Sequence, residues 1–598
     1  MSAKHFVNDP THLVNSALEA ITFTNPSLAL DRHNKVIYRR PTHHDSSNPT
    51  VSIVSGGGAG HEPSFSSMVG KGLLTAAVSG TIFASPSAEQ IRAGIQTRVS
   101  HDKGVLVTVM NYTGDVLNFG MAVEKAHAGG VDAEMVVVGD DVGVGRAKAG
   151  KVGRRGIAGT VLVHKISGAL AAQGYSLKDV AKVARLTASN LVSVGASLEH
   201  VHVPGRALPK ADDPATLGAK EVEIGMGIHN EAGSGREEIE LPQLVTKMLK
   251  QLLDQEDKDR AFLNVNSNEI VLLVNNLGGV SVLELGGITA EVVTQLQKDY
   301  NIRPVRILSG TYMTSLNGLG FSISLLNVVN TDVGGPSMIQ LLDYPCEATG
   351  WAAPISKETW EEKNEATRED TASVSSEVKP SGLKYDASAA SEALHKGLEY
   401  IVVVEPDVTR YDSVVGDGDC GIGLKRGAEA TIDHLKSNPL TGDAVVDTAN
   451  IVSVVEMAMD GTSGAIYAIF LNALVHALGT LAPGDASPKV WAEALKQSCE
   501  ALSKYTPARP GDRTLVDALY PFVDTLAESG DLQKAAKASI AAAEATQGMV
   551  ASLGRSVYVG GSGFKQVPDP GAWGLAYFFL GIAGLKPPKA HEEGWEKV

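Results

Sequence analysis

From residue 50 to about residue 330 the chain repeats one pattern, short runs of β-branched and aliphatic residues that end in glycine or asparagine. Residues 51–55, 105–109, 135–139, 270–274 and 321–326 are the clearest of these runs. They are apolar without strict alternation, which predicts strands buried on both faces. Residues 87–100 and 177–194 lie between them with helical spacing. Strands alternating with helices predict an α/β domain whose sheet is covered on both sides.

The pattern then changes twice. Residues 357–384 are rich in Glu, Ser, Thr and Lys with almost no large aliphatic positions, and read as a linker. Beyond it, residues 388–402, 427–435, 465–478, 490–504, 515–527 and 532–553 carry alanine and leucine at helical spacing with hardly any strand pattern. The expected fold class is therefore multidomain, α/β followed by all-α. No 20–50-residue period suggests a solenoid.

Composition narrows the function. A length of 598 residues fits two to four domains, and 43% hydrophobic with 20% charged residues is ordinary for a globular protein. With a net charge of −16 and no basic tract, nucleic acid is not an expected partner. Three scattered cysteines make neither a disulfide framework nor a four-cysteine zinc site. The N-terminus lacks an apolar signal core, and the most apolar helical run, 465–478, is about fourteen residues, short of the roughly twenty a bilayer needs. These features predict a cytoplasmic enzyme with no membrane partner.

Candidate chemistry concentrates in glycine-framed segments. Asp412, Asp417 and Asp419 place three carboxylates within eight residues, with Gly416, Gly418 and Gly421 permitting loop geometry. Brought together, they would repel unless a cation lay between them, and oxygen-only ligation favours Mg²⁺ or Ca²⁺ over zinc. An EF-hand is excluded, because starting its loop at Asp417 puts Ile422 at the turn glycine and Ala428 at the bidentate glutamate. The alternative is an Asp/Gly turn whose carboxylates cap backbone amides.

Upstream, Gly56, Gly57, Gly58, Ala59 and Gly60 follow a strand and precede His61, so backbone amides could cradle an oxygen-bearing ligand within reach of an imidazole; a plain strand-to-helix corner is the alternative. Asp115 follows the 105–109 strand and reads either as a general base or as the cap of a helix starting at Val116. His229 stands out through its frame, Gly225 to Gly233. In the second domain, Gly461, Thr462, Ser463 and Gly464 open an apolar helix and form an anion site at its N-terminus, or an ordinary cap.

Together, the GGGxGHEP segment at 56–63, NYTGD at 111–115, the run from Arg154 to Lys165, GxGIHxExG at 225–233 and GDGDCG at 416–421 resemble the single-chain, ATP-dependent dihydroxyacetone kinases, over nearly the whole chain. The resemblance implies a substrate-binding α/β domain over 1–345, a linker over 346–387 and a helical, barrel-like nucleotide domain over 388–598. By it, His229 bonds covalently to the carbonyl carbon of dihydroxyacetone or D-glyceraldehyde as a hemiaminal, Asp115 is the general base, and His61 orients the substrate. Gly57, Gly58, Ala59 and Gly60 complete the cradle.

The same resemblance assigns two Mg²⁺ ions to Asp412, Asp417 and Asp419. It assigns ATP contacts to Asp419, Cys420, Gly421, Ile422, Gly461, Thr462, Ser463, Gly464, Arg513, Thr514, Arg555, Asp569, Pro570 and Gly571. It implies a homodimer and leaves two alternatives, an FAD-cleaving, cyclic-FMN-forming activity and a carbonyl-binding sensor. Two positions depart from the family pattern. Met110 stands where members often carry a lysine, and Thr81 where an acidic residue is expected.

Overall fold

The computed structural model describes residues 4–43, 47–207, 216–265, 269–353, 355–363, 378–459, 461–550, 553 and 565–588. The chain divides into two units, Met1–Glu369 and Asp370–Val598.

The first unit holds two six-stranded sheets where the pattern suggested one. The first sheet is built from β1 (Leu28–Asp31), β2 (Val36–Arg39), β3 (Ser52–Ala59), β4 (Ala76–Ile82), β5 (Val105–Met110) and β6 (Ala133–Val138), in the order β1-β2-β4-β3-β5-β6. Its β4-β3-β5-β6 portion is parallel and its β1-β2 edge antiparallel. The second sheet is built from β7 (Leu191–Ser197), β8 (Glu221–Ile224), β9 (Gly235–Glu238), β10 (Ile270–Asn276), β11 (Arg306–Gly310) and β12 (Gly320–Asn327), in the order β11-β10-β12-β7-β8-β9. Only β10 and β11 pair in parallel there; the other neighbours are antiparallel.

The unalternating apolar runs have their expected cause. In β5, Val105, Val107 and Val109 pack against the helices Ala88–Thr97 and Thr113–Ala128, while Leu106 and Met110 face the opposite core. In β10, Ile270, Leu272 and Val274 face the helices Leu241–Leu253 and Val282–Tyr300, while Val271 and Leu273 join the core that contains Leu106. The helix Thr160–Ala172 lies in that shared core, buried from Thr160 to Ala171. One apolar layer thus binds the two sheets, so the loops at their ends are fixed against each other.

Two expected spans need correction here. The helix predicted over 177–194 ends at Ser189, capped at Asn190, and its last residues form β7, because the β-branched stretch from Leu191 to Val194 pairs with β12. The glycines after Ser55 do not follow the strand but continue it, since β3 runs to Ala59. Gly56 pairs with Val78, and a Cβ on it would stand 2.2 Å from the Val78 carbonyl oxygen.

In the second unit eight helices among the described residues pack in sequence order, each on the next: Ala387–Val415, Cys420–Ser437, Ala444–Ala458, Gly461–Thr480, Pro488–Leu502, Val516–Ser529, Leu532–Ala545 and Pro570–Ile582. The last packs back on the first, closing a ring. Side chains such as Leu398, Leu424, Phe470, Phe522 and Phe579 line an apolar cavity of about 540 Å³ inside it. The first helix is longer than its pattern indicated, continuing past Pro406 to Val415, whereas the helix expected over 532–553 stops at Ala545. Gly461–Thr480 also corrects an expectation: at 20 residues it is long and apolar enough to cross a membrane. It is one stave of this ring, with Phe470, Leu474 and Leu478 buried and Asn472 bonded to Glu456 of the preceding helix.

The close β3–β4 approach makes a test. Gly56→Ala should destabilise the first unit by about 3 kcal/mol, seen as a lower urea midpoint. Gly286→Ala, inside Val282–Tyr300 with open space around it, should leave stability unchanged or raise it by up to ~1 kcal/mol. Equal midpoints for the two variants would contradict the packing argument.

Candidate active site

In the first unit, three segments converge. His61 follows the carboxyl end of β3, Asp115 follows that of β5, and His229 sits in the loop joining β8 and β9. The two imidazoles meet edge to face, with Nε2 of His61 3.0 Å from Nε2 of His229. Their outer nitrogens are also engaged. His61 Nδ1 lies 2.8 Å from the Thr314 carbonyl, and His229 Nδ1 lies 2.9 Å from Glu231 Oε1.

These contacts fix the protons. A carbonyl only accepts, so His61 carries its proton on Nδ1. Burial, reinforced by the charge of His229, pushes its pKa down to about 3, so His61 is neutral and its Nε2 is an acceptor. Burial raises the Glu231 carboxyl, but hydrogen bonds from His229 and its charge outweigh this and hold it at about 2. Glu231 is therefore ionised and accepts from His229 Nδ1–H, and also from the His229 backbone N–H at 2.9 Å. One shared proton remains, between the two Nε2 atoms.

The surrounding residues hold this line in place. Tyr112 and Phe83 meet the His229 ring nearly perpendicularly, at centroid distances of 4.7 and 5.1 Å. Asn230, in the left-handed conformation at φ 65°, accepts from the Val201 N–H and donates to the Val201 carbonyl, both at 2.9 Å. Ser315 Oγ donates to the Ile228 carbonyl. Glu231 is a functional residue that the sequence analysis does not assign, and its H-x-E spacing to His229 is the signal in the sequence that marks it.

Asp115 does not cap a helix beginning at Val116. The helix starts at Thr113, its N-cap Tyr112 makes no side-chain bond, and Asp115 lies in the first turn, 5% exposed. Burial raises its pKa, partly offset by a Ser85 hydrogen bond and the charge of His229. Its Oδ1 is buried without a hydrogen-bond partner among the described residues. The glycine segment is closely filled by protein. A Cβ on Gly57 would touch the Phe65 ring and one on Gly58 the Ala84 N–H, while the Gly60 N–H already donates to Glu62. Ala59, the last residue of β3, accepts from the Phe83 N–H. Met110 is fully buried in the shared core and Thr81 is exposed on β4.

In the second unit, Asp412 lies in the last turn of the first helix, Asp417 in the loop that follows, and Asp419 precedes Cys420–Ser437. One carboxylate oxygen of each can be chosen so that all lie within 4.8 Å of one another, an all-oxygen set that fits a hard divalent cation. Asp412, buried, also accepts from the Cys420 N–H at 3.0 Å. A cavity of about 330 Å³ opens beside them. It is lined by Cys420, Ile422, Gly461, Thr462, Ser463, Arg513, Thr514, Asp569, Pro570 and Gly571.

Gly421 and Gly464 are not in this lining. Their bare Cα atoms pack on the 405–409 turn of the first helix and on Met459. Arg513 is buried, donating to the Val567 carbonyl, with Nε and Nη1 unpartnered among the described residues. Asp517 accepts from the Thr514 N–H and holds that turn. Asp569 caps Pro570–Ile582 through the Ala572 N–H, and burial raises it to about 6. Arg555 and Asp460 lie outside the described residues.

Comparison with known proteins finds a Dak1 domain over residues 19–350 and a DAK2 domain over 414–584. A dihydroxyacetone kinase of Pichia angusta is 44% identical, the alignment covering 98% of each chain. A triokinase/FMN cyclase of Rattus norvegicus is 34% identical, over 99% of this chain and 100% of the relative. The crystal structure of the C. freundii dihydroxyacetone kinase with AMP-PNP and Mg²⁺ matches with a TM-score of 0.61 and 32% identity, over 98% of this chain and 100% of that one.

The histidine geometry predicts how stability depends on pH. His61 titrates at about 3 when folded against 6.5 ordinarily, so the unfolded chain takes up the proton first as pH falls. The stabilisation is complete above pH 6.5 and is lost progressively toward pH 3. His164, buried and likewise near 3, adds a second such group. Asp141 and Asp569, raised to about 6 by burial, act in the opposite direction over the same range, so the test is a difference: between pH 7 and pH 4.5 the pH slope of the unfolding free energy in urea should be lower in His61→Gln than in wild type by about one proton. An unchanged slope would contradict the neutral, buried His61.

Proposed function

The chain belongs to the dihydroxyacetone kinase family, and from that premise we propose that it transfers the γ-phosphoryl group of ATP to dihydroxyacetone or D-glyceraldehyde held covalently on His229. The observation that carries the proposal is the line Thr314 carbonyl, His61, His229, Glu231.

In this mechanism His229 Nε2 attacks the substrate carbonyl carbon while the shared proton passes to His61 Nε2. A C–N bond forms and the carbonyl π bond opens. His61 then returns the proton to the carbonyl oxygen, completing the hemiaminal. Glu231 keeps His229 Nδ1 engaged and so leaves Nε2 as the attacking atom. Glycerol has the hydroxyls but no carbonyl, so it escapes capture. Asp115, its basicity raised by burial, accepts the proton of the terminal hydroxyl as that oxygen attacks phosphorus.

Asp412, Asp417 and Asp419 would hold Mg²⁺, which when bound would offset the charge of the ATP phosphates. Thr462 and Ser463, at the start of their helix, line the same cavity, and N–H groups and hydroxyls in such a first turn suit phosphate oxygens. Asp569 and the Pro570–Gly571 turn close the nucleotide side. The homodimer expected from sequence belongs to the same reading and is checked by light scattering.

ADP release with Mg²⁺ should occur with dihydroxyacetone and with D-glyceraldehyde, and not with glycerol. Absence of ADP with dihydroxyacetone would refute the activity. The name of the rat relative favours a second reading, for which AMP and cyclic FMN released from FAD are the test. His229→Ala should lower kcat/KM for the carbonyl substrate by about 100-fold or more. Asp417→Asn should abolish transfer while a crystal soaked with dihydroxyacetone still shows the bond to His229.

A further inference from the structure

The run from Arg154 to Lys165, singled out in the sequence, has no part in the mechanism above. Arg155 nonetheless lies against the His229 loop. Its Nη2 donates to the Gly225 carbonyl at 2.9 Å and, with Nε, to Asp141 Oδ2 at 2.7 and 2.9 Å. Its remaining nitrogen, Nη1, faces Glu231 across Gly227. A Cβ on that glycine would stand 2.0 Å from Glu231 Oε2 and 2.6 Å from Arg155 Nη1. The missing side chain is the gap through which guanidinium and carboxylate face each other.

A carboxylate on Nδ1 orients an imidazole but also makes it hold protons more tightly. A nucleophilic imidazole needs the first effect without too much of the second. We propose that Arg155 is a positioning residue, which through Gly227 offsets the charge of Glu231 and so sets how readily His229 releases the proton it shares with His61. This rests on the reading of His229 as the nucleophile. The other groups that act on this cluster are Tyr112 and Asp115 from the β5 side, His61 from the β3 side, and Asp140 and Asp141 behind Arg155. Removing the guanidinium uncovers Asp141 as well as Glu231, so both changes act in one direction.

The test is an NMR titration of the imidazole nitrogens in the full-length, substrate-free protein, with His229 assigned by its loss in His229→Asn. Arg155→Met should raise the His229 midpoint by about one unit. Glu231→Gln should lower it, and Arg155→Lys should restore most of the wild-type value. Arg155→Gln keeps an amide donor for the Gly225 carbonyl and serves if the methionine variant does not fold. In kinetics the acid limb of kcat/KM for dihydroxyacetone should move upward with the midpoint, with a loss that approaches about tenfold at pH values below both midpoints and unchanged KM for ATP.

An unmoved midpoint in both neutral variants overturns the role of Arg155. If wild-type protein forms no adduct with dihydroxyacetone but the midpoint shifts as expected, the capture mechanism fails and the electrostatic role stands. If the adduct forms and the midpoint does not move, only the role of Arg155 fails.

Discussion

Two imidazole nitrogens 3.0 Å apart can hold only one proton between them, and the first unit is built around that constraint. The arrangement works only if each outer nitrogen has a fixed partner, one an obligate acceptor and one an anion. Thr314 supplies the first from the connection between β11 and β12, and Glu231 the second from the loop between β8 and β9. His61 comes from the other sheet. A shift of about 1 Å between the sheets would break both bonds that His61 makes. The shared apolar layer around Thr160–Ala172 is what holds their ends in register.

The second unit solves a different electrostatic problem. Asp412, Asp417 and Asp419 come from one short stretch, but Asp569 is brought near them only because Pro570–Ile582 closes the ring against Ala387–Val415. Burial raises Asp569 to about 6, and the charges of Asp517 and Asp412 push the same way against Arg513. A site that gathers carboxylates in this way is suited to ligands that arrive with cations, as a magnesium-bound polyphosphate does.

Several local features could be read in the sequence because their causes are local. Apolar runs without alternation marked strands covered on both faces, and β5 and β10 contribute alternate residues to two different cores. The spacing of the three aspartates, with glycines between, was enough to exclude an EF-hand and to suggest a hard cation. One span was misread for the same locality. Leu191 to Val194 continues the helical spacing of the preceding turn, yet it opens β7 because β12 offers a ladder. The glycines at 56–58 suggest a ligand cradle in the sequence; the structure adds that their bare Cα atoms make room for Val78, Phe65 and Ala84.

By itself, the sequence determined which residue types stand in glycine-rich turns, the change from strand to helix composition after the linker, and motifs specific enough to place the chain in its family. It did not determine the state of His229. That depends on Thr314, His61, Glu231 and Arg155, which come from separate loops and meet only when two sheets share a core. A proton is assigned by distances and by burial, and neither exists until the chain has folded. For the same reason Gly227, an unremarkable turn residue in the sequence, becomes in the tertiary structure the opening across which two charges act.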